Sequence, residues 1–119
     1  MLIREYTRED GSSPFEEWFN SLDSIAASKI TVAISRLELG NTSNIKWFKG
    51  FGEYKIHWGP GYRIYLIKEG KRLIILLGGG TKKTQQSDIK SVRQLLKEYK
   101  VRKKISKNKS EYYASDKGI

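Results

Sequence analysis

GYRIYLIKEGKRLIILLGGGTKK, residues 61–83, decides how this chain folds. It reads as a β-hairpin, with strands over 62–68 and 72–77 and a tight turn at Glu69-Gly70. The second arm is an unbroken Leu/Ile run, the pattern of a central strand covered on both faces. It ends in three glycines, with Lys82 and Lys83 just beyond. The first arm sets Arg63 among apolar and aromatic residues. A cation in such a place needs an anion, either a carboxylate or a phosphate. Lysines past a glycine run suit a phosphate; the same residues also suit a turn with solvated charges.

Working outward, residues 53–58 alternate. Tyr54, Ile56 and Trp58 fall on one face and Glu53, Lys55 and His57 on the other. Gly59, Pro60 and Gly61 read as a turn. Residues 41–52 read as a loop carrying Lys46, Trp47, Phe48 and Lys49. Before it come two helices. Ser13 caps the first, Pro14 takes its first position and Glu16 completes a capping box. Phe15, Trp18, Phe19 and Leu22 form its apolar stripe. Asp23 or Ser24 caps the second, Ile30, Ala33, Ile34 and Leu37 repeat the spacing, and Gly40-Asn41 stops it. A short strand opens the chain at 2–7. A last helix begins at Thr84 or Ser87 and buries Ile89, Val92, Leu95, Leu96 and Tyr99.

The expected order is β-α-α-β-β-β-α. It describes an α+β fold, with a helical hairpin and a C-terminal helix packed on a small antiparallel sheet. Residues 1–100 form the single domain, and residues 101–119 a basic, flexible tail.

The chain has 119 residues, no cysteine and one histidine, His57. That excludes a disulfide framework, a cysteine nucleophile and a zinc site built on thiolates or histidines. No apolar run approaches the roughly 20 residues of a membrane helix. The N-terminus is charged, so the expectation is a soluble, cytoplasmic protein without a membrane partner. The net charge is +10 and unevenly spread: residues 1–81 contribute +2 and residues 82–119 contribute +8. Such a balance points to an acidic partner, nucleic acid among them, or to a solubilising tail.

A three-residue turn at 59–61 would set His57 opposite Arg63 and Lys55 opposite Tyr65 on one polar face. Cleaving RNA without a metal or other cofactor takes a base for the 2′-hydroxyl, a cation for the phosphate and an acid for the leaving oxygen. Arg63 suits bidentate phosphate contact and Lys82 adds a second charge. Lys55, His57 or a tyrosine can move protons. Lys83, Lys46, Lys49, Gln85 and Tyr65 are the candidate RNA contacts, with Trp47 and Phe48 as stacking groups. The plainer reading pairs Arg63 with Glu53, leaves His57 an ordinary strand residue and makes Trp47 and Phe48 packing groups.

In FEEWFNSL, LELGN, GEYKIHWGPGYRIYL and IILLGGGTKKTQQSDIKSV the chain resembles the RelE/ParE superfamily of type II toxin–antitoxin toxins. The likeness is greatest to the HigB-like, phage-derived Gp49-like branch called addiction module killer proteins, and it runs from about residue 2 to residue 99. The resemblance implies a RelE-like fold and a toxin held by a cognate antitoxin. It implies mRNA cleavage on the translating ribosome, without metal, by an endoribonuclease. Arg63 matches the family's strand arginine. Lys82, Gln85 and Asp88 match its glycine–lysine stretch, and Glu53 with Lys55 its acidic-x-basic strand. Gln85 and Asp88 there also suit the start of the last helix. ParE-like members block DNA gyrase instead, which is the alternative, along with a non-toxic RNA-binding module.

Overall fold

The computed structural model describes residues 1–117, with side chains to residue 106. The elements are β1 (Leu2–Glu5), α1 (Pro14–Asn20), α2 (Ser24–Glu38), β2 (Ile45–Trp47), β3 (Gly52–Ile56), β4 (Tyr62–Glu69), β5 (Leu73–Thr81) and α3 (Gln85–Lys117). They make an α+β fold around one five-stranded sheet of order β1-β5-β4-β3-β2.

The helical hairpin forms as its caps dictate. Ser13 accepts from the Glu16 amide at 3.1 Å, with Pro14 in the first turn. Asp23 accepts from the Ala26 amide at 2.8 Å. Gly40, at φ +89°, ends α2 by sending its amide to the Leu37 carbonyl, while Asn41 reaches Arg36. That pair of bonds is a Schellman stop. Ala26, Ile30, Ala33 and Leu37 are the buried stripe of α2.

The sheet differs from the expected one in three ways. It is mixed, because β1 runs parallel to β5, with Leu2 beside Leu73. It has a fifth strand, β2, in the stretch expected to be loop. Three residues carry too little alternation to be recognised; β2 exists because β3 pairs with it, Lys46 beside Glu53. Finally, β5 runs through its glycines to Thr81 instead of ending at Leu77.

A bulge explains how the glycines are used. Tyr65 pairs with Gly78 but Leu66 pairs with Leu76, so Leu77 is the extra residue. Beyond it the alternation restarts. Gly79 faces α1, where an added Cβ would lie 2.3 Å from the Trp18 ring. Gly80 faces α3, where a Cβ would lie 1.8 Å from Asp88 Oδ2. The run is therefore neither a turn nor a free loop. It lets a tryptophan and a helix start approach the strand from opposite sides.

Two cores result. Phe15, Ile30, Leu37, Tyr54, Ile64, Leu66 and Leu76 pack between the sheet and the helical hairpin. Tyr6, Phe51, Tyr65, Ile67, Leu77, Val92 and Leu96 pack between the sheet and α3. The helix does not stop at Lys100. Arg102 donates to the Thr7 carbonyl at 2.7 Å and Lys103 to Glu69 at 2.7 Å, so these residues join the domain.

Candidate functional site

The polar cluster expected on β3 and β4 is present without His57 and in a different register. Lys55 pairs with Arg63 and Glu53 with Tyr65. The expected pairing was off by two residues, because β3 ends at Ile56 and residues 57–61 make a five-residue connection. Gly59 and Gly61 take positive φ there. A two-residue shift preserves faces, so Glu53, Lys55, Arg63 and Tyr65 still share one. It expels His57, which is exposed outside the strand. His57 and Lys55 border a groove of about 400 Å³ between α2 and β3, with Lys29, Arg36 and Trp58.

α3 covers the shared face, and that changes the roles of its residues. Glu53 and Tyr65 are fully buried, and Arg63 is 6% exposed. Tyr65 packs on Phe51 with ring centroids 6.4 Å apart and offers no face to a base. It is withdrawn as an RNA contact. Burial pushes its hydroxyl pKa up, and the neighbouring Glu53 charge adds to the rise. The group therefore stays protonated at neutral pH and is no base.

Glu53 is the hub. Its Oε2 accepts from Gln85 Nε2 at 2.8 Å and lies 3.7 Å from Arg63 Nε. That last distance is an ion pair without a hydrogen bond. Arg63 Nη1 donates to the Gly61 carbonyl at 2.7 Å. Glu53 Oε1, Arg63 Nε and the Tyr65 hydroxyl are buried without a hydrogen-bond partner among the described residues. Gln85 is thus a brace from the first turn of α3, half-buried and directed inward. Glu53, weighed only as a partner for Arg63, organises the whole cluster. Its signal in the sequence is its place one alternation step from Lys55, on the same face as Arg63.

Beside this cluster the β5–α3 junction comes close to the β3–β4 connection. A Cβ on Gly61 would lie 3.4 Å from Arg63 Nη1 and 3.6 Å from Lys82 Cβ. The Lys82 amide donates to the Pro60 carbonyl at 3.4 Å. Arg63 and Lys82 therefore come together at the end of the sheet where Lys55 pairs with Arg63. Lys82 and Lys83 are exposed. Thr84 and Asp88 close the turn below them, with the Thr84 hydroxyl on Asp88.

The other expected RNA contacts stand apart, on the β2–β3 hairpin. Lys46 and Lys49 are exposed, and Lys46 Nζ sits 5.1 Å from the Phe48 ring centre. Phe48 stacks on Phe51 at 4.9 Å and is a packing residue. Trp47 is 51% exposed. The arrangement can hold an anion between a fixed guanidinium and an exposed ammonium. The amines placed beside Arg63 are Lys55, half-buried and paired with it on the neighbouring strand, and the exposed Lys82.

Among the described residues no helix is long and apolar enough to cross a membrane. No protein-family model matches the chain. An uncharacterized protein of Haemophilus influenzae is 42% identical over 86 residues, which cover 71% of this chain and 87% of the relative. At that identity and coverage, the chain belongs to the same family as the Haemophilus influenzae protein.

Proposed function

We propose that this protein is a RelE-like toxin of a type II toxin–antitoxin system, a metal-independent endoribonuclease that cuts mRNA on the translating ribosome in the cytoplasm. The observation that carries the reading is the meeting of Arg63, Lys55 and Lys82 at one end of the sheet. Three cations there match the charge that grows on a phosphate in the transition state. The +10 net charge gives the attraction to mRNA and rRNA. The likeness of the GYRIYL and GGGTKK stretches to RelE/ParE toxins supplies the biological context, including a cognate antitoxin as partner. Lys82 and Arg63 hold the phosphate, and Lys55 moves the proton.

A second reading draws on the enclosure of Arg63, whose side chain is 7% exposed beside Glu53. A toxin that blocks DNA gyrase needs no such guanidinium at its surface, so a structural Arg63 favours it.

The test is induced expression with mapping of mRNA 5′ ends, for the native chain, Lys82→Glu and Arg63→Lys. We expect in-frame cuts within coding regions, reduced roughly 10²-fold in both variants. Arrest of DNA synthesis without cuts moves the assignment to gyrase. Absence of growth arrest leaves an RNA-binding module.

A further inference from the structure

The Glu53 cluster is built against the rules of stability. A carboxylate with no exposure is costly to desolvate unless it is well paired. Here its cation is at 3.7 Å without a hydrogen bond, and its neutral neighbours are Gln85 Nε2 at 2.8 Å and the Tyr65 hydroxyl. Apolar side chains in place of Glu53 and Arg63 together would fill the same space at little or no cost. What the carboxylate supplies instead is geometry.

Arg63 is held at two points. Nη1 is tied to the Gly61 carbonyl, and the Nε edge faces Glu53. Nη2 donates to no group among the described residues, so it is the free arm of the fork. Glu53 is itself braced by Gln85 from the first turn of α3. On the other side, the Gly61 connection is tied to Lys82 through Pro60. One chain of contacts thus runs from the start of α3 through Gln85, Glu53 and Arg63 to the junction that carries Lys82.

We propose that Glu53, braced by Gln85, is a positioning residue for Arg63, which holds the guanidinium with Nη2 toward an RNA phosphate beside Lys82. The proposal rests on the nuclease reading for its ligand and on the cluster alone for its geometry. A guanidinium fixed before the phosphate arrives loses little freedom on binding it. Gln at position 53 keeps the shape of the side chain and removes the charge that draws the Nε edge inward.

The test uses the full chain, uniformly ¹⁵N-labelled, with Glu53→Gln. One readout is the ¹H–¹⁵N signal of Arg63 Nε, assigned by its disappearance in Arg63→Lys. The other is single-turnover cleavage of mRNA on ribosomes. We expect the Nε signal to shift and broaden while the backbone amide spectrum elsewhere is kept. Cleavage should slow by about 10²-fold at saturation, with the half-saturating ribosome concentration little changed. Gln85→Ala, at a half-buried helix start, should move both readouts the same way by less; it decides the matter should Glu53→Gln fail to fold. An unchanged Nε signal, or cleavage at the native rate, overturns the proposal. A native chain that cuts no RNA ends the nuclease reading, while a displaced Nε signal in Glu53→Gln would still uphold Glu53 as the residue that sets Arg63.

Discussion

The two faces of the sheet are sealed by opposite means. Against α1 and α2 the filling is apolar side chains from six elements, with Ile30, Leu37, Ile64 and Ile74 fully buried. Against α3 the filling is apolar and aromatic along the helix, and toward the helix start it becomes Glu53, Arg63 and Gln85. The first face carries stability by area removed from water, where each buried Leu or Ile is worth about 1.5–3 kcal/mol. The second holds charges in place at a cost in stability. The contrast places the proposed site on the face that gives part of its interior to charge.

Three substitutions sharpen the contrast. The largest effect belongs to Arg63→Ala, which leaves Glu53 buried without its cation. A loss of about 3–5 kcal/mol is expected, read as a lower urea midpoint. Loss of toxicity in that variant therefore reports on folding as well as chemistry, which is why Arg63→Lys is the better functional probe. A loss under 1 kcal/mol would mean that the cluster is wet and loosely held.

On the apolar face, Gly79→Ala drives a methyl into the Trp18 ring. Overpacking of this kind should cost about 1–3 kcal/mol, with a change in tryptophan fluorescence. A neutral outcome would show that α1 can lift from β5.

The smallest effect lies at the far end of α3. Lys103 and the Tyr99 hydroxyl hold the Glu69 carboxyl below its ordinary value, and Arg8 with Tyr6 does the same for Glu98. A lowered folded value stabilises above the unfolded pKa of about 4.3 and is lost as pH falls through the folded one. Amide protection factors in residues 97–106 should therefore fall between pH 5 and about 3, before those of the sheet do. Because Lys103 is largely exposed, Lys103→Ala should cost under about 1 kcal/mol at pH 7. Simultaneous opening of helix and sheet would show one cooperative unit instead.

The ends of the helical hairpin were legible in the sequence, since Ser13, Asp23 and Gly40 act through neighbours three residues away. The capping box was not formed, as Ser13 Oγ donates to Glu5 and no Glu16 side-chain bond returns to Ser13 among the described residues. The glycine run was visible, but its use was not. Only the bulge at Leu77 reveals that Gly79 and Gly80 serve opposite faces. β2 escaped notice because its existence depends on β3. The register of Lys55 and Arg63 was missed because Gly59, Pro60 and Gly61 look like a complete turn, whereas two further residues join the connection. The face assignment survived, so Lys55, Arg63 and Tyr65 do share a face. The position of His57 and the burial of Tyr65 were missed, because they depend on where β3 ends and on what α3 covers.

The parallel pairing of β1 with β5 has a consequence in time. Leu2 finds its partner 71 residues later, at Leu73. At about 5–20 residues per second, synthesis separates them by roughly 4–14 s. The meander from β2 to β5 pairs neighbours and can form as it emerges, but its outer edge at β5 stays open until β1 swings back. Glu53 and Arg63 face water for longer still, until α3 closes. During that interval two nascent chains on one message can exchange their first strands, and a strand-swapped pair is the misfolded product this topology leaves within reach.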